Sequence, residues 1–187
     1  MPVTVRLLGD VDVAAVHAID QASYVDPWPE HHIAAEVARA DRCHVVALRG
    51  GVCIGHASLL VVEPEATLTT VAVAPGERGA GVARQLLLDL FERAVARGVE
   101  AITLEVRAQN RSAHALYRRF GFAPAGVRRG YYPAVGATPA DDALIMWAHD
   151  IHEPAYQHRL AVLATTAVTT DPSALPAFKD NSEQHHD

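Results

Sequence analysis

Long apolar runs, an excess of basic residues and a cysteine framework are all missing from this 187-residue sequence. Its apolar runs fall well short of the roughly 18 residues that a membrane helix needs. Residues 1–8 also lack the basic segment and apolar run of a secretory signal. Acidic residues outnumber basic ones by 22 to 16, which gives a formal charge of −6. We therefore expect a cytoplasmic protein that binds neither a membrane nor nucleic acid directly, and whose partner is a basic peptide or a cationic amine.

Cysteine and histidine offer little chemistry of their own. Cys43 and Cys53 are the only cysteines and lack the Cys-x-x-Cys spacing, so we expect two reduced thiols. Eleven histidines are present, but His31–His32 and His185–His186 are adjacent pairs, whose side chains do not share a helix face. No His-x-x-x-His pattern occurs either, and we predict no metal site.

Half of the residues are hydrophobic, and their periodicity predicts one mixed α/β domain with helices on both faces of a sheet. The predicted order is β-α-α-β-β-β-α-β-α-β-β, with Asp10 capping the first helix, Pro29 opening the second, and a glycine-rich loop leading into a long helix over residues 81–97. This domain is expected to span residues 1–150. We predict a C-terminal extension over 151–187, in which 161–170 forms a short strand or a docked segment and 171–187 is disordered.

The strongest functional signal is the loop between the strand ending near Ala74 and that long helix. Gly79 and Gly81 allow unusual backbone angles and close approach of a ligand to the backbone. The first amides of a helix have no internal acceptor and lie at the positive end of the helix dipole, so they can bind a pyrophosphate without a lysine. Neither the Walker pattern nor Gly-x-Gly-x-x-Gly is matched. The alternative interpretation is a tight turn whose glycines serve packing.

Two side chains further along are candidates for proton transfer. Glu105 lies mid-strand on the more polar face, where a carboxylate needs a partner or a wet cleft. The alternative is a structural ion pair with Arg107 or with a cross-strand arginine. Tyr117 lies on the following helix, which begins at Asn110 or Arg111. The alternative interpretation of Tyr117 is a core tyrosine on an amphipathic helix.

The loop Arg78-Gly79-Ala80-Gly81-Val82-Ala83 resembles the Arg/Gln-x-x-Gly-x-Gly/Ala signature of the GNAT superfamily of acetyl-CoA-dependent N-acetyltransferases. The resemblance implies a central, mostly antiparallel sheet of six to seven strands. It also implies that acetyl-CoA is the cosubstrate and that this loop holds its pyrophosphate. The preceding strand residues Val71, Ala72 and Val73 are implied to offer backbone groups to the pantetheine arm.

Over about residues 1–150 the chain is more specifically similar to the bacterial ribosomal-protein alanine N-acetyltransferases. The matching segments, in order, are Pro27-Trp28, Glu65–Leu68, Leu104–Arg107, Asn110, Ala115–Tyr117, Gly121-Phe122, Arg128-Arg129, Tyr131–Pro133 and Asp142–Met146. The family implies Glu105 as general base, Tyr117 as general acid, Asn110 as a coenzyme contact, and Trp28, Tyr131 and Tyr132 as substrate-binding residues. Pro29 departs from the family, which often has Ser or Thr there, and residues from about 151 onward have no counterpart.

The resemblance implies acetylation of a protein N-terminus, with the N-terminal alanine of ribosomal protein S18 as the family's substrate. An α-amine, with a pKa of about 7.7–8.0 against about 10.4 for lysine, needs less help in losing its proton. A GNAT enzyme for a small amine, such as a polyamine or an antibiotic, is the first alternative. A non-catalytic coenzyme A-binding module is the second, and the presence of both Glu105 and Tyr117 argues against it.

Overall fold

The computed structural model describes residues 1–136 and 138–166, and a seven-stranded sheet lies at its centre. The spatial order is β1-β2-β3-β4-β5-β7-β6, and every pair is antiparallel except β4–β5. This confirms the predicted mixed, mostly antiparallel sheet. The strands are β1 (Val3–Leu7), β2 (Arg42–Arg49), β3 (Val52–Val62), β4 (Glu65–Val73), β5 (Ala101–Arg107), β6 (Ala123–Tyr132) and β7 (Asp141–Ala148).

Within the described residues, five α-helices cover the sheet: α1 (Val13–Gln21), α2 (Glu30–Val37), α3 (Val82–Ala96), α4 (Arg111–Arg119) and α5 (Pro154–Thr165). The long helix begins and ends as predicted, with Gly98 at φ +77° just beyond it. The predicted cap at Asp10 is wrong. Asp10 opens a short 3₁₀ turn, and it is the carboxylate of Asp12 that accepts a hydrogen bond from the Gly9 amide at 3.0 Å and pairs with Arg6.

Each face of the sheet has its own apolar core, because side chains alternate between the faces along each strand. The larger core lies between the sheet and α3, and includes Leu86, Leu90 and Phe91, all at most 1% exposed. The smaller core lies under α1 and α2 on the other face, formed by Leu8, Val13, Val16, Ile33 and Val46. Helices therefore flank both faces, as predicted.

The C-terminal segment forms a helix that the sequence did not predict. Tyr156 stacks on Phe91 with ring centroids 5.8 Å apart and donates its hydroxyl proton to the carbonyl of Phe120. Ile151 and Leu160 are buried in the larger core. Residues 161–165 are the last residues of α5. The prediction of a strand is therefore wrong for them, and the predicted alternative, a segment docked on the domain, fits instead. Residues 171–187, predicted to be disordered, lie outside the described residues.

One feature of the sheet determines where a ligand can enter. The parallel strands β4 and β5 pair only from Glu65↔Ala101 to Leu68↔Leu104. The next residue of β4, Thr69, is a β-bulge, since Ser58 pairs with Thr70 while Leu59 pairs with Leu68. A bulge bends its strand and increases its twist. Beyond this point the two strands are no longer paired with each other, which leaves a gap at their carboxyl ends.

Candidate active site

The gap exposes one edge of β4. The amide of Ala74 donates a hydrogen bond to the carbonyl of Ile54 in β3 at 2.9 Å. Along an antiparallel strand, the backbone groups of successive residues point alternately to the two sides. Ala72, two residues earlier, therefore also directs its backbone groups toward β3. Val71 and Val73 direct theirs into the gap. Their carbonyls accept hydrogen bonds from the Tyr24 hydroxyl at 3.1 Å and from Arg78 Nε at 3.1 Å. The amides of Val71 and Val73 therefore remain available to a ligand.

The glycine-rich loop forms a cradle of open amides at the start of α3. Gly79 and Gly81 have φ values of +76° and +79°. A Cβ at Gly79 would meet nothing within 4 Å, so its glycine serves the backbone conformation and not packing. Among the described residues, no oxygen accepts a hydrogen bond from the amides of residues 79–84, including those of Ala80, Val82 and Ala83. This cradle suits a phosphate or pyrophosphate.

Arg78 braces the loop instead of pointing its charge into the cradle. Its Nε donates to the Val73 carbonyl, and its Nη2 donates to the Ser23 hydroxyl, each at 3.1 Å. The guanidinium thus ties the loop to the end of α1. Glu77, the acidic residue beside the cradle, is paired with Arg49. That pairing offsets a negative charge that would otherwise oppose an anionic ligand.

Glu105 lies on the polar face of β5 and has two partners. Its Oε1 lies 3.0 Å from Nη1 of Arg128, which comes from β6, two strands away. The phenol of Tyr131 lies beside the same carboxylate, and its interaction with Glu105 is the main cause that raises the pKa of Tyr131. The cross-strand arginine predicted as an alternative is thus present. Arg107 is not that partner, and its guanidinium lies 4.3 Å from the centroid of the Tyr132 ring.

Tyr117 combines a buried ring with an accessible hydroxyl. The residue is 9% exposed and its ring lies 5.7 Å from that of Phe122. The hydroxyl has no hydrogen-bond partner among the described residues, yet it is not sealed from solvent. Burial raises the pKa of Tyr117 well above its usual range, and the phenols of Tyr24 and Tyr132 act in the same direction. The side chain therefore stays protonated at neutral pH and can donate a proton.

Known proteins match the domain that carries these residues. The model of the Acetyltransferase (GNAT) family matches residues 13–122. The chain belongs to the GNAT acetyltransferase family. The Escherichia coli K12 [ribosomal protein bS18]-alanine N-acetyltransferase is 36% identical over 144 residues, which is 76% of this chain and 95% of that enzyme. The N-alpha-acetyltransferase RimI of Mycobacterium tuberculosis is 37% identical over 142 residues, covering 73% of this chain and 88% of its own length.

A solved structure gives the same result for the fold. The crystal structure of the ribosomal-protein-S18-alanine N-acetyltransferase from Escherichia coli superposes with a TM-score of 0.73 at 34% identity. The match covers 80% of this chain and 94% of that one. The GNAT fold implied by the sequence is therefore confirmed over most of the chain.

Acetyl-CoA is the acetyl donor of GNAT enzymes, and it supplies the activated thioester. The residues present fit it: open amides over residues 79–84 suit the pyrophosphate, and the free amides of Val71 and Val73 suit the amide carbonyls of pantetheine. Asn110 uses Oδ1 to cap α4, accepting from the Ala113 amide at 3.1 Å. Its predicted contact with the coenzyme stays a prediction.

The predicted substrate-binding residues lie on two different segments. Tyr131 and Tyr132 end β6 beside Glu105, on the β5 side of the gap. Trp28 lies between α1 and α2, half-exposed, with its carbonyl 2.8 Å from Nδ1 of His17. Tyr24 of the same connection reaches the β4 side of the gap, where its hydroxyl also lies 2.9 Å from Oγ1 of Thr70. Tyr24 was not predicted, because nothing in its local sequence indicates contact with a strand 47 residues away.

A buried polar chain beneath this region was also missed. Asp20 Oδ1 lies 2.8 Å from Nε2 of His56, whose Nδ1 lies 3.0 Å from Nε2 of His44. If His56 donates from Nε2 to the carboxylate, His44 must donate from Nε2 to His56, and Nδ1 of His44 is left unprotonated. That atom is buried without a partner among the described residues. Burial, together with His56 and Arg42, lowers the pKa of His44 to about 3.

The described residues contain neither a metal-binding cluster nor a membrane-spanning helix. No group of three or more His, Cys, Asp or Glu side chains is arranged to hold a metal ion within residues 1–136 and 138–166. Over the same part of the chain, no helix is both long and apolar enough to cross a bilayer. Cys43 and Cys53 are both free thiols, the first buried and the second partly exposed.

Proposed function

We propose that this GNAT acetyltransferase transfers the acetyl group of acetyl-CoA to the α-amino group of the N-terminal alanine of ribosomal protein bS18. The relative from Escherichia coli that carries this activity in its name is matched over 95% of its length. The observation that supports the chemistry is that a carboxylate, Glu105 on β5, and a protonated phenol, Tyr117 on α4, both lie near Tyr132, whose pKa Glu105 raises and which in turn raises that of Tyr117.

Each of the two side chains suits one proton transfer. The acceptor must lose a proton from its ammonium before its nitrogen can attack a carbonyl, and the carboxylate of Glu105 can take that proton directly or through a water. The departing thiolate needs a proton, and the phenol of Tyr117 holds one throughout the neutral range. With an α-amine pKa of about 7.7–8.0, roughly a tenth of such amines are already neutral at pH 7. A single carboxylate is therefore sufficient for an N-terminus.

The proposed partner is a basic ribosomal protein that meets acetyl-CoA in the cytoplasm. The formal charge of −6 favours approach of such a partner. A small amine remains the second candidate, because the same acidic balance suits it and because Glu105 does not by itself distinguish a peptide from a polyamine.

A single-turnover assay with three acceptors tests the proposal. The first is a peptide with the bS18 N-terminus, the second is the same peptide with a blocked α-amine, and the third is a polyamine. We expect acetylation of the first alone, measured as the mass gain of one acetyl group. Acetylation of the polyamine with none of the free peptide would support the small-amine enzyme instead. Acetyl-CoA binding without transfer to any acceptor would support the non-catalytic module.

A further inference from the structure

The pair between Arg128 and Glu105 is built so that it can open. Arg128 is anchored on β6, an edge strand of the sheet, and its side chain must reach across β7 to meet the carboxylate. The pairing of β6 with β7 is irregular between Arg128 and Tyr132, so the backbone beside Arg128 is not held by a continuous ladder. The Arg128 side chain is also exposed over 56% of its surface.

Ion pairs with an exposed partner are weak and readily exchanged. By contrast, the side chain of Glu105 is only 26% exposed, and the Tyr131 phenol lies beside it. The carboxylate therefore stays half-buried beside a phenol when Arg128 leaves. The guanidinium also has a place to go, since it already lies 5.5 Å from the centroid of the exposed Tyr131 ring.

Like Arg128, the acceptor of the proposed reaction brings a cation to the carboxylate of Glu105. An α-ammonium is a cation with N–H donors, and the carboxylate of Glu105 must receive its proton. We propose that Arg128 and the α-ammonium of the acceptor compete for Glu105, so that Arg128 occupies the carboxylate in the free enzyme and is displaced when the acceptor binds. This inference rests on the proposed function, because it takes Glu105 to be the group that meets the amine.

The other groups around Glu105 do not replace Arg128 in this role. Arg107 on the same strand lies over the ring of Tyr132. Tyr131 and Tyr132 from β6 and Tyr117 from α4 are phenols whose pKa values are all raised, mainly by the interaction with Glu105 for Tyr131 and by burial for the other two. The residue of β7 that pairs with Glu105 is Ile145, which is uncharged. Arg128 is thus the cation that the acceptor must displace.

Removing the charge of Arg128 tests the competition through KM and kcat measured separately. For Arg128→Gln at pH 7 we expect KM for the Ala-starting peptide to fall by about two- to fivefold, the range set by the strength of exposed pairs, with kcat within about twofold. Arg128→Lys keeps the charge and should keep the wild-type KM. Arg129→Gln is the matched control: it removes the same charge next along β6, where the structure gives it no ion pair among the described residues, and should change neither constant.

A fall in kcat with KM unchanged would overturn the proposal, because Arg128 would then orient the base and not compete for it. Unchanged constants in Arg128→Gln, or the same KM change in Arg129→Gln, would overturn it as well. Equilibrium binding gives a second readout: titration of the peptide onto the CoA-bound enzyme should show tighter binding for Arg128→Gln. In the Glu105→Gln background that gain should vanish, and a gain that persists would contradict the competition.

The same measurements separate this proposal from the proposed function. If the wild-type enzyme acetylates a small cationic amine and not the bS18 peptide, the proposed substrate is wrong. The KM comparison is then made with that amine. A lower KM in Arg128→Gln would support competition at Glu105 for the new acceptor, and an unchanged KM would overturn it.

Discussion

Replacing Tyr117 by phenylalanine separates its two interpretations, because the structure assigns its ring and its hydroxyl to different environments. The ring packs in the core against Phe122, and the substitution keeps that contact. The hydroxyl has no hydrogen-bond partner among the described residues, so its removal leaves no buried donor or acceptor without a partner. We expect the free energy of unfolding to change by less than about 1 kcal/mol, the net value of one hydrogen bond.

The effect on turnover should be much larger. Losing one general acid lowers kcat by about 10²–10⁴, which corresponds to about 2.7–5.5 kcal/mol in the activation barrier. The assay is steady-state acetylation of the Ala-starting peptide at saturating acetyl-CoA, together with thermal unfolding of the same preparations.

Tyr156→Phe provides the matched control. This tyrosine is also packed in the core, but its hydroxyl donates to the carbonyl of Phe120. Its removal leaves that acceptor without a partner and should cost about 1–3 kcal/mol of stability with kcat nearly unchanged. If Tyr117→Phe instead lowers the melting temperature and retains normal turnover, Tyr117 is a core residue and the assigned acid is wrong.

Three further predictions follow from the cradle, the carboxylate and the buried histidines. Gly81→Val places a β-branched residue at φ +79° in the cradle, and calorimetric titration should show weaker acetyl-CoA binding. Glu105→Gln should lower kcat/KM at pH 7, and the deficit should shrink above about pH 8, where the amine arrives neutral. His44→Gln should flatten the acid limb of stability. Because the folded pKa of about 3 lies below the ordinary histidine value of 6.5, the unfolded chain takes up the proton first, and wild-type stability falls by up to about 1.4 kcal/mol per pH unit as pH drops below 6.5.

Each of these has a matched control within the chain. Gly76→Ala lies in the same loop with no atom within 4 Å of its added Cβ, and should bind acetyl-CoA normally. Equal losses in both glycine variants would remove the cradle as the pyrophosphate site. A constant ratio of kcat/KM between wild type and Glu105→Gln across pH 6–9 would remove Glu105 as the base. His158→Gln replaces an exposed histidine, so an acid limb equally flattened there would contradict the assignment to His44.

The parts of the fold that follow from local periodicity were predictable from the sequence. The four-residue spacing of Val82, Leu86, Leu90 and Ala94 indicated α3, and each of these side chains is at most 1% exposed. The helix α5 was missed because its apolar residues do not line up on one face: Leu160 is buried, whereas Val162 is 49% exposed. It is held by two particular contacts of Tyr156, with Phe91 and Phe120, and such contacts exist only once the core has formed.

In the candidate site, too, some features follow from the local sequence and others depend on contacts between distant residues. The open cradle and the positions of Glu105 and Tyr117 depend on residues close together in the sequence, and the structure agrees with those expectations. The identity of Arg128 as the partner of Glu105 depends on the register of two strand pairs across β7, which spacing does not determine. The direction of the Arg78 side chain depends on the position of Ser23, which lies just beyond the end of α1. Motif reasoning therefore identified candidate residues but not the contacts that hold them.

The most direct test of the central claim is to locate the acetyl group on the proposed substrate itself. Full-length bS18 with a free N-terminus is incubated with the enzyme and acetyl-CoA, and tandem mass spectrometry then identifies the modified residue. We predict a single acetyl group on the α-amine of the N-terminal alanine, and none with the Tyr117→Phe enzyme over the same time. Acetylation of lysine side chains, or an unmodified bS18 under conditions in which a small amine is acetylated, would contradict the account.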